Sequence, residues 1–276
     1  MFHGQKQILF LAAAFLAIAP APALAWKNGP PDNKVTNSSK DCFDPPYSTH
    51  DWVADHGRAL LPVGERAWLD PHRKLLIIGT EAPDYDEIPL ACGVPNRGYN
   101  DTGGGNHDLR FDDFGNVTFD TPAYRAQQEY DKAVAAYRTG KHGAAAYYLG
   151  AAAHYIGDLS QYGHTMKGES HHADFEVWVG GLTPSFAGGG VFERFIQVDG
   201  LEPRSAYDAV IRTGKLTRYG KSPVIAPTDM DGRNGSAART SIGHTLSKAV
   251  NETADMLHGF YVTVVKPAQT RLKKYD

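Results

Sequence analysis

The chain has 276 residues, of which 28 are lysine or arginine and 31 are aspartate or glutamate, giving a formal net charge of −3 with neutral histidines. A protein that holds nucleic acid by broad electrostatic contact usually has a basic surface, and this composition argues against one. The length suits one large domain or two small ones.

The N-terminus has the pattern of a secretory signal peptide. Lys6 precedes an apolar run, and the run is followed by Ala23-Leu24-Ala25, the small-x-small sequence that signal peptidase cuts. The run is shorter than the roughly 20 apolar residues that a membrane-spanning helix needs. The sequence therefore predicts a signal peptide at 1–25, and secretion of a soluble mature chain, 26–276, that begins with Trp26.

Hydrophobic periodicity and helix-start signals predict helices, and no segment alternates convincingly like a strand. The predicted helices run from His50 to about Leu61, from Glu65 to Ile78 with a break at Pro71, from Thr121 to about Thr139, through the segment that contains Tyr147 and Asp158, and from Ala237 to Val265. Predicted loops cover 79–116, 182–190 and 215–235. The predicted class is all-α, a single-domain multi-helix bundle in which facing helices aim ligands inward.

Five potential metal ligands lie between positions 154 and 176. His154 and Asp158 are four residues apart, as are His172 and Glu176, so each pair falls on one face of a helix. His164 lies between the two pairs. Histidines in an alanine-rich segment can be ordinary surface or core residues, but two ligand pairs with a histidine between them favour a site. Imidazole combined with carboxylate indicates zinc.

Cys42 and Cys92 are the two cysteines of the chain. Their wide spacing fits a single disulfide in an oxidising compartment better than a thiolate metal site, and two buried free thiols are the alternative. A bridge would close a loop of about 50 residues and stabilise the fold by about 4 kcal/mol on the chain-entropy model. The sequence therefore predicts a Cys42–Cys92 disulfide.

Several motifs resemble those of a known family. Tyr148-Leu149-Gly150, His154-Tyr155-Ile156-Gly157-Asp158 and His164 are similar to the core of the zinc-dependent phospholipase C and single-strand nuclease superfamily. Two further matches are Pro83-Asp84-Tyr85-Asp86 after a helix end and His107 before an aspartate-rich turn. The resemblance covers nearly all of 26–276, and it implies a phospholipase C-like catalytic domain with three zinc ions in a helical bundle.

The resemblance also implies the zinc ligands. In that family a tryptophan at the mature N-terminus binds one ion through its amino nitrogen and carbonyl oxygen, which matches Trp26. The implied ligand sets are Trp26, His50 and Asp158; Asp84, His107, His154 and Asp158, with Asp158 bridging; and His164, His172 and Glu176. The alternatives are Asp86 for Asp84, His171 for His172 and His56 for His50.

The implied chemistry is hydrolysis of a phosphodiester. Asp84 would act both as a zinc ligand and as the base that orients or deprotonates the attacking water. The first hypothesis is a phospholipase C, acting as a monomer on phospholipid at a membrane or micelle surface. Glu176 supports it, because the nuclease branch usually has aspartate there. Tyr85 would contact the substrate, since aromatic faces bind quaternary ammonium groups, although a packed tyrosine is an equal alternative.

Two other functions stay open from the sequence. A single-strand nuclease or nucleotidase could use the same three ions, but it would need exposed aromatic platforms for stacked bases. The candidate platforms are Trp52, Phe111, Phe114 and Trp178. The third hypothesis is a secreted zinc-binding or interaction protein without catalytic activity. The intact ligand set disfavours it. We expect no stable nucleic-acid partner.

Overall fold

The computed structural model describes residues 47–85, 88, 90–103, 105–166, 172–186, 190–220 and 236–272. The predicted signal peptide and four residues named above lie outside these ranges: Trp26, Cys42, Asp86 and His171. The structural statements that follow concern the described ranges.

Helices form most of the described chain, and the all-α class predicted from the sequence is confirmed. The helices are α1 (Thr49–Leu60), α2 (Val63–Arg66), α3 (Arg73–Gly79), α4 (Thr121–Arg138), α5 (His142–Asp158), α6 (His172–Gly180), α7 (Ala206–Tyr219), α8 (Ser236–Phe260) and α9 (Lys266–Leu272). Short 3-10 turns lie at Asp70–His72, Leu90–Cys92, Tyr162–Thr165 and Glu193–Phe195, and a π-helical turn at Tyr261–Val265 joins α8 to α9.

A two-stranded hairpin lies between the first helices and α4, and its first strand falls in the segment predicted as loop, 79–116. Strand β1 (Arg110–Phe111) pairs antiparallel with β2 (Val117–Phe119). The Asp112 carboxylate closes the hairpin by accepting the N–H groups of Phe114 and Asn116, at 2.9 and 2.8 Å. Strands this short cannot show a period of two, so hydrophobic alternation gave no sign of them.

One predicted break is confirmed and one predicted boundary is wrong. The helical segment predicted from Glu65 to Ile78 with a break at Pro71 consists of α2 and α3, which a 3-10 turn containing Pro71 separates. The loop predicted for 215–235 begins inside α7, which continues to Tyr219, and 221–235 lie outside the described chain. The start of α7 has a local cause, since the Ser205 side chain accepts the N–H group of Asp208.

Helix α5 lies at the centre of the molecule, and all but one of its residues from Ala145 to Asp158 are buried. Its alanines and glycines allow neighbouring backbones to come close. A Cβ atom on Gly150 would lie 2.0 Å from the carbonyl oxygen of Leu76, and one on Gly79 would lie 2.0 Å from that of Tyr147. Helices α3 and α5 therefore pack backbone to backbone, which brings the turn after α3 against the C-terminal half of α5.

Candidate metal centre

Eight of the nine predicted zinc ligands lie in the described chain, and short contacts link them all into one cluster. They come from α1, the turn after α3, the segment before β1, the end of α5, the following 3-10 turn and α6. The eight are His50, Asp84, His107, His154, Asp158, His164, His172 and Glu176. Trp26 lies outside the described residues, so its role stays a prediction.

Local hydrogen bonds fix where the first of these ligands lies. Ser48 and Asp51 form a capping box, which starts α1 and places His50 in its first turn. Asp51 also accepts the Thr80 hydroxyl at 2.6 Å. The carbonyl oxygen of Thr80 in turn lies 2.7 Å from Nδ1 of His154. One chain of hydrogen bonds therefore sets the His50 helix against the His154 helix.

Asp158 is at the middle of the cluster. Its Oδ2 lies 2.7 Å from His107 Nδ1 and 3.2 Å from His154 Nε2, and these two nitrogens are 3.2 Å apart. Its Oδ1 faces His50 Nε2 at 3.4 Å and His164 Nε2 at 3.8 Å. Ligand atoms around a tetrahedral zinc ion, with bonds of about 2.0–2.1 Å, lie about 3.3 Å from each other. The spacing around Asp158 is therefore compatible with ligands that share a metal ion.

Asp84 and His50 form a second group with His154. All three offer ligand atoms that lie within 4.8 Å of one another. Asp84 Oδ1 lies 3.6 Å from His154 Nε2 and 3.9 Å from His107 Nε2. The resemblance divides these residues differently, with His50 beside Asp158 and Asp84 beside His107. The geometry brings His50 within reach of both groups, so the division between two ions stays a prediction.

The third group consists of His164, His172 and Glu176, the same three residues that the resemblance places together. His172 Nε2 lies 2.6 Å from Glu176 Oε1 and 3.1 Å from His164 Nε2. His164 Nε2 is 3.3 Å from Glu176 Oε1. Because His164 also faces Asp158, this group is continuous with the other two.

Several buried polar atoms of the cluster have no hydrogen-bond partner among the described residues. They are Nδ1 and Nε2 of His50, Oδ1 of Asp84 and Oδ1 of Asp158. A buried polar atom left unpaired costs about 1–3 kcal/mol, and natural folds rarely keep several together without a reason. A bound cation would satisfy these atoms. The buried histidine and carboxylate groups could therefore hold metal ions.

Two glycines leave room for ligand rings. A Cβ atom on Gly157 would lie 2.6 Å from His50 Nδ1, and one on Gly163 would lie 2.5 Å from His172 Nδ1. Any larger residue would push the imidazole out of the cluster. Gly157 belongs to the motif that carries the resemblance, and the structure gives a physical reason for glycine there.

Oxygen acceptors outside the cluster face the second nitrogen of three ligand histidines. His154 Nδ1 contacts the carbonyl oxygen of Thr80, as described above, and His164 Nδ1 lies 3.4 Å from Asp108 Oδ1. His107 Nε2 lies 3.1 Å from Asp101 Oδ1. Such acceptors hold a ligating imidazole in one tautomer. Sequence analysis missed both aspartates. Asp108 belongs to the aspartate-rich turn after His107, which was a signal for it, whereas no such signal marks Asp101.

The charges of the cluster shift its pKa values strongly. Burial alone would raise the pKa of Asp158, but His154, His107 and His164 hold it well below its usual range. Burial alone would lower the pKa of His107, but the surrounding carboxylates, Asp158 foremost, raise it well above its usual value. Burial raises the pKa of Glu176 to about 8. The centre therefore combines an ionised carboxylate with imidazoles that compete for protons.

Two other predicted site residues belong to none of the three ligand groups. Tyr85 packs against a small hydrophobic cluster that includes Ile78 and Val94, so its contact with a substrate stays a prediction. Cys92 ends a 3-10 turn beside the same cluster, and its predicted partner Cys42 lies outside the described residues. The disulfide therefore also stays a prediction.

His56, the alternative to His50, belongs to a different environment. Its ring packs against Trp52 and stacks on Phe186, with centroids 4.1 and 4.5 Å away. Its Nδ1 lies 2.8 Å from the carbonyl oxygen of Trp52. Within the described chain His56 joins none of the three ligand groups, so the geometry favours His50.

Among the described residues, no helix is both long and apolar enough to cross a membrane. The sequence matches no protein-family model, and comparison with curated proteins finds no match.

Proposed function

We propose that this chain is a secreted zinc-dependent phosphodiester hydrolase, a phospholipase C that cleaves glycerophospholipid into diacylglycerol and a phosphorylated headgroup. The observation that carries the proposal is the continuous cluster of three ligand groups joined through buried Asp158. Its mixture of imidazole and carboxylate donors suits zinc, and three groups suit three ions. The motifs that resemble the phospholipase C and nuclease superfamily support the same reaction class.

Asp158 and the histidines around it would bind the metal ions. When bound, zinc ions would stabilise negative charge on the phosphoryl oxygens and lower the pKa of a bound water. Asp158 is buried, and the surrounding imidazoles keep it ionised, so it can serve as a permanent anionic anchor for more than one cation. The histidines around it, which are also buried, present nitrogen lone pairs once their protons have left.

Asp84 is placed to handle the proton of the attacking water. Its side chain is 10% exposed, whereas that of Asp158 is fully buried, so Asp84 lies closer to arriving solvent and substrate. Burial raises the pKa of Asp84, which makes its carboxylate a better proton acceptor than an ordinary aspartate. Asp84 would orient the water and hold its proton, with His154 and His107 beside its carboxylate at 3.6 and 3.9 Å.

The aromatic residues favour lipid over nucleic acid as the substrate. Trp52 is fully buried, and Phe111 and Trp178 pack against the main hydrophobic core. Of the four candidate platforms, Phe114 alone is fully exposed, and Asp113 precedes it in a tight acidic turn. A single strand needs successive platforms beside positive charge. The four candidates provide one exposed platform, so we rank phospholipid before single-stranded DNA.

The test uses mature protein that begins at Trp26 and is loaded with zinc. Its hydrolysis of phosphatidylcholine vesicles is compared with its hydrolysis of single-stranded DNA, each with and without a chelator. We expect chelator-sensitive release of diacylglycerol and intact DNA. Chelator-sensitive DNA cleavage with untouched lipid would instead establish the nuclease. Activity that survives both chelation and Asp158→Asn would contradict the metal centre, and Asp131→Asn on the exposed face of α4 is the matched control.

A further inference from the structure

Asp101 connects the metal centre to the surrounding protein, although it belongs to none of the ligand groups. Its side chain is 7% exposed. Oδ1 lies 3.1 Å from His107 Nε2, and Oδ2 accepts the Tyr155 hydroxyl at 2.8 Å and Nε of Arg125 at 2.6 Å. Three neighbours therefore hold the carboxylate in one orientation, with one oxygen aimed at a ligand ring.

The backbone of Asp101 is held as firmly as its side chain. Its N–H group donates to the carbonyl oxygen of Pro83 at 2.8 Å, and its own carbonyl oxygen accepts from Asn106 Nδ2 at 2.9 Å. The preceding residue, Asn100, has a φ of 41°, a left-handed conformation that non-glycine residues seldom adopt. These contacts tie Asp101 to the turn that carries Asp84 and to the segment that carries His107.

Both nitrogens of His107 face carboxylates, since Asp158 Oδ2 lies 2.7 Å from Nδ1 and Asp101 Oδ1 lies 3.1 Å from Nε2. An ionised carboxylate only accepts hydrogen bonds, so each contact favours a proton on its own ring nitrogen. A cation bound between Nδ1, Asp158 and His154 would replace the Nδ1 proton, and the Nε2 proton, which faces Asp101 outside the cluster, would remain. Asp84 also lies on the Nε2 side, but at 3.9 Å it is too far for a hydrogen bond.

His154 and His164 have the opposite arrangement. Their Nδ1 atoms face Thr80 and Asp108, and their Nε2 atoms face the cluster. His107 therefore turns Nδ1 toward the cluster, whereas His154 and His164 turn Nε2 toward it. The acceptor that faces Nε2 of His107 is Asp101.

We propose that Asp101 is a positioning residue that holds His107 in its Nε2–H tautomer, so that His107 binds metal through Nδ1. The proposal rests on the metal occupancy assumed in the proposed function, and not on the identity of the substrate. Tyr155 and Arg125 act through Asp101, because they fix its carboxylate and keep it ionised. Losing such an outer contact typically lowers metal affinity by about 10- to 100-fold.

The first measurement is the nitrogen spectrum of the bound histidines. Zinc-loaded protein with 15N-labelled histidine is recorded by long-range 1H–15N correlation, and His107 is assigned by its loss in His107→Gln. We expect its Nδ1 at a metal-bound shift and its Nε2 with an attached proton, whereas His154 and His164 show the reverse. Binding of His107 through Nε2, which would pair it with Asp84, overturns the proposal.

The second measurement is zinc affinity by competition with a chromophoric chelator. We expect Asp101→Asn to weaken the tightest-bound zinc by about 10- to 100-fold, and Tyr155→Phe to weaken it less. Asp131→Asn, on the exposed face of α4, should leave the affinity unchanged. Unchanged affinity in Asp101→Asn overturns the proposal. If that variant does not fold, Tyr155→Phe must show the loss, and unchanged affinity there overturns it.

Neither measurement uses a substrate, so the two proposals can fail separately. A protein with the expected His107 spectrum that cleaves no phosphodiester contradicts the proposed function and leaves the role of Asp101 in place. A protein that cleaves lipid while His107 binds zinc through Nε2 contradicts the role of Asp101 and leaves the proposed function in place. A protein that binds no zinc overturns both.

Discussion

The metal centre and the junction between α7 and α8 both bury carboxylates, but they compensate the charge differently. At the junction, Arg204 Nε lies 3.0 Å from Glu252 and 3.0 Å from Asp255, and Asp255 also accepts the N–H group of Glu202. At the centre, Asp158 faces four imidazoles and no guanidinium among the described residues, and its Oδ1 lacks a hydrogen-bond partner there. The guanidinium at the junction carries a fixed positive charge, whereas the imidazoles around Asp158 can lose their protons and bind a cation instead.

Removing Asp158 should have the largest effect. We expect Asp158→Asn to lower zinc content and to reduce phosphodiester hydrolysis by about 10²- to 10³-fold, because it takes away the charge shared by the three groups. Added zinc should raise the melting temperature of the wild type. Binding to the folded state adds about 4 kcal/mol to the free energy of unfolding when zinc is at 1,000 times its dissociation constant. Metal analysis and thermal melts with and without chelator measure both. Equal zinc content in the variant would remove Asp158 from the centre.

Breaking the guanidinium pair should destabilise the fold without affecting the metal. We expect Arg204→Met to lower the free energy of unfolding by about 3 kcal/mol, since Asp255 loses its guanidinium partner and Glu252 keeps only Arg212. Zinc content per folded chain should not change. Urea unfolding and metal analysis of the same samples test this. A loss of zinc in Arg204→Met would mean that the two regions are coupled, and the contrast between them would not hold.

A smaller change can distinguish ligand placement from general packing. Gly157→Ala would put a Cβ atom 2.6 Å from His50 Nδ1, so we expect a loss of about 1–3 kcal/mol in the free energy of unfolding, together with weaker zinc binding. Gly64 has no atom within 4 Å of such a Cβ, and Gly64→Ala is the matched control that should keep both properties. Chemical unfolding and zinc competition provide the readouts. Normal zinc affinity in Gly157→Ala would show that His50 does not need its present position.

The sequence predicted the helices better than the centre's outer contacts. Thr121-Pro122 marks the start of α4 with strictly local signals, and the helix begins at Thr121. Asp101 acts through atoms on α4 and α5, at sequence separations of 24 and 54, and no local pattern records those distances. The contact between His172 and Glu176 is partly predictable. Helical spacing predicts that these two side chains meet, but it does not predict that His164 contacts both of them.

The smallest expected effect concerns His56, whose Nδ1 already has a hydrogen-bond partner in the protein. Burial lowers the pKa of His56 below its usual 6.5. The unfolded chain therefore takes up this proton first, and the contribution of His56 to stability is present above pH 6.5 and lost as the pH falls through its folded pKa. In chelated protein, the unfolding free energy of His56→Phe should fall less between pH 7 and pH 5 than that of the wild type. Zinc affinity at pH 7 should be the same in both, because Trp52, and not a metal, occupies Nδ1 of His56. A drop in zinc affinity would mean that His56 binds metal in place of His50. Hydrogen bonding of the ring nitrogens would then not distinguish a structural histidine from a metal ligand.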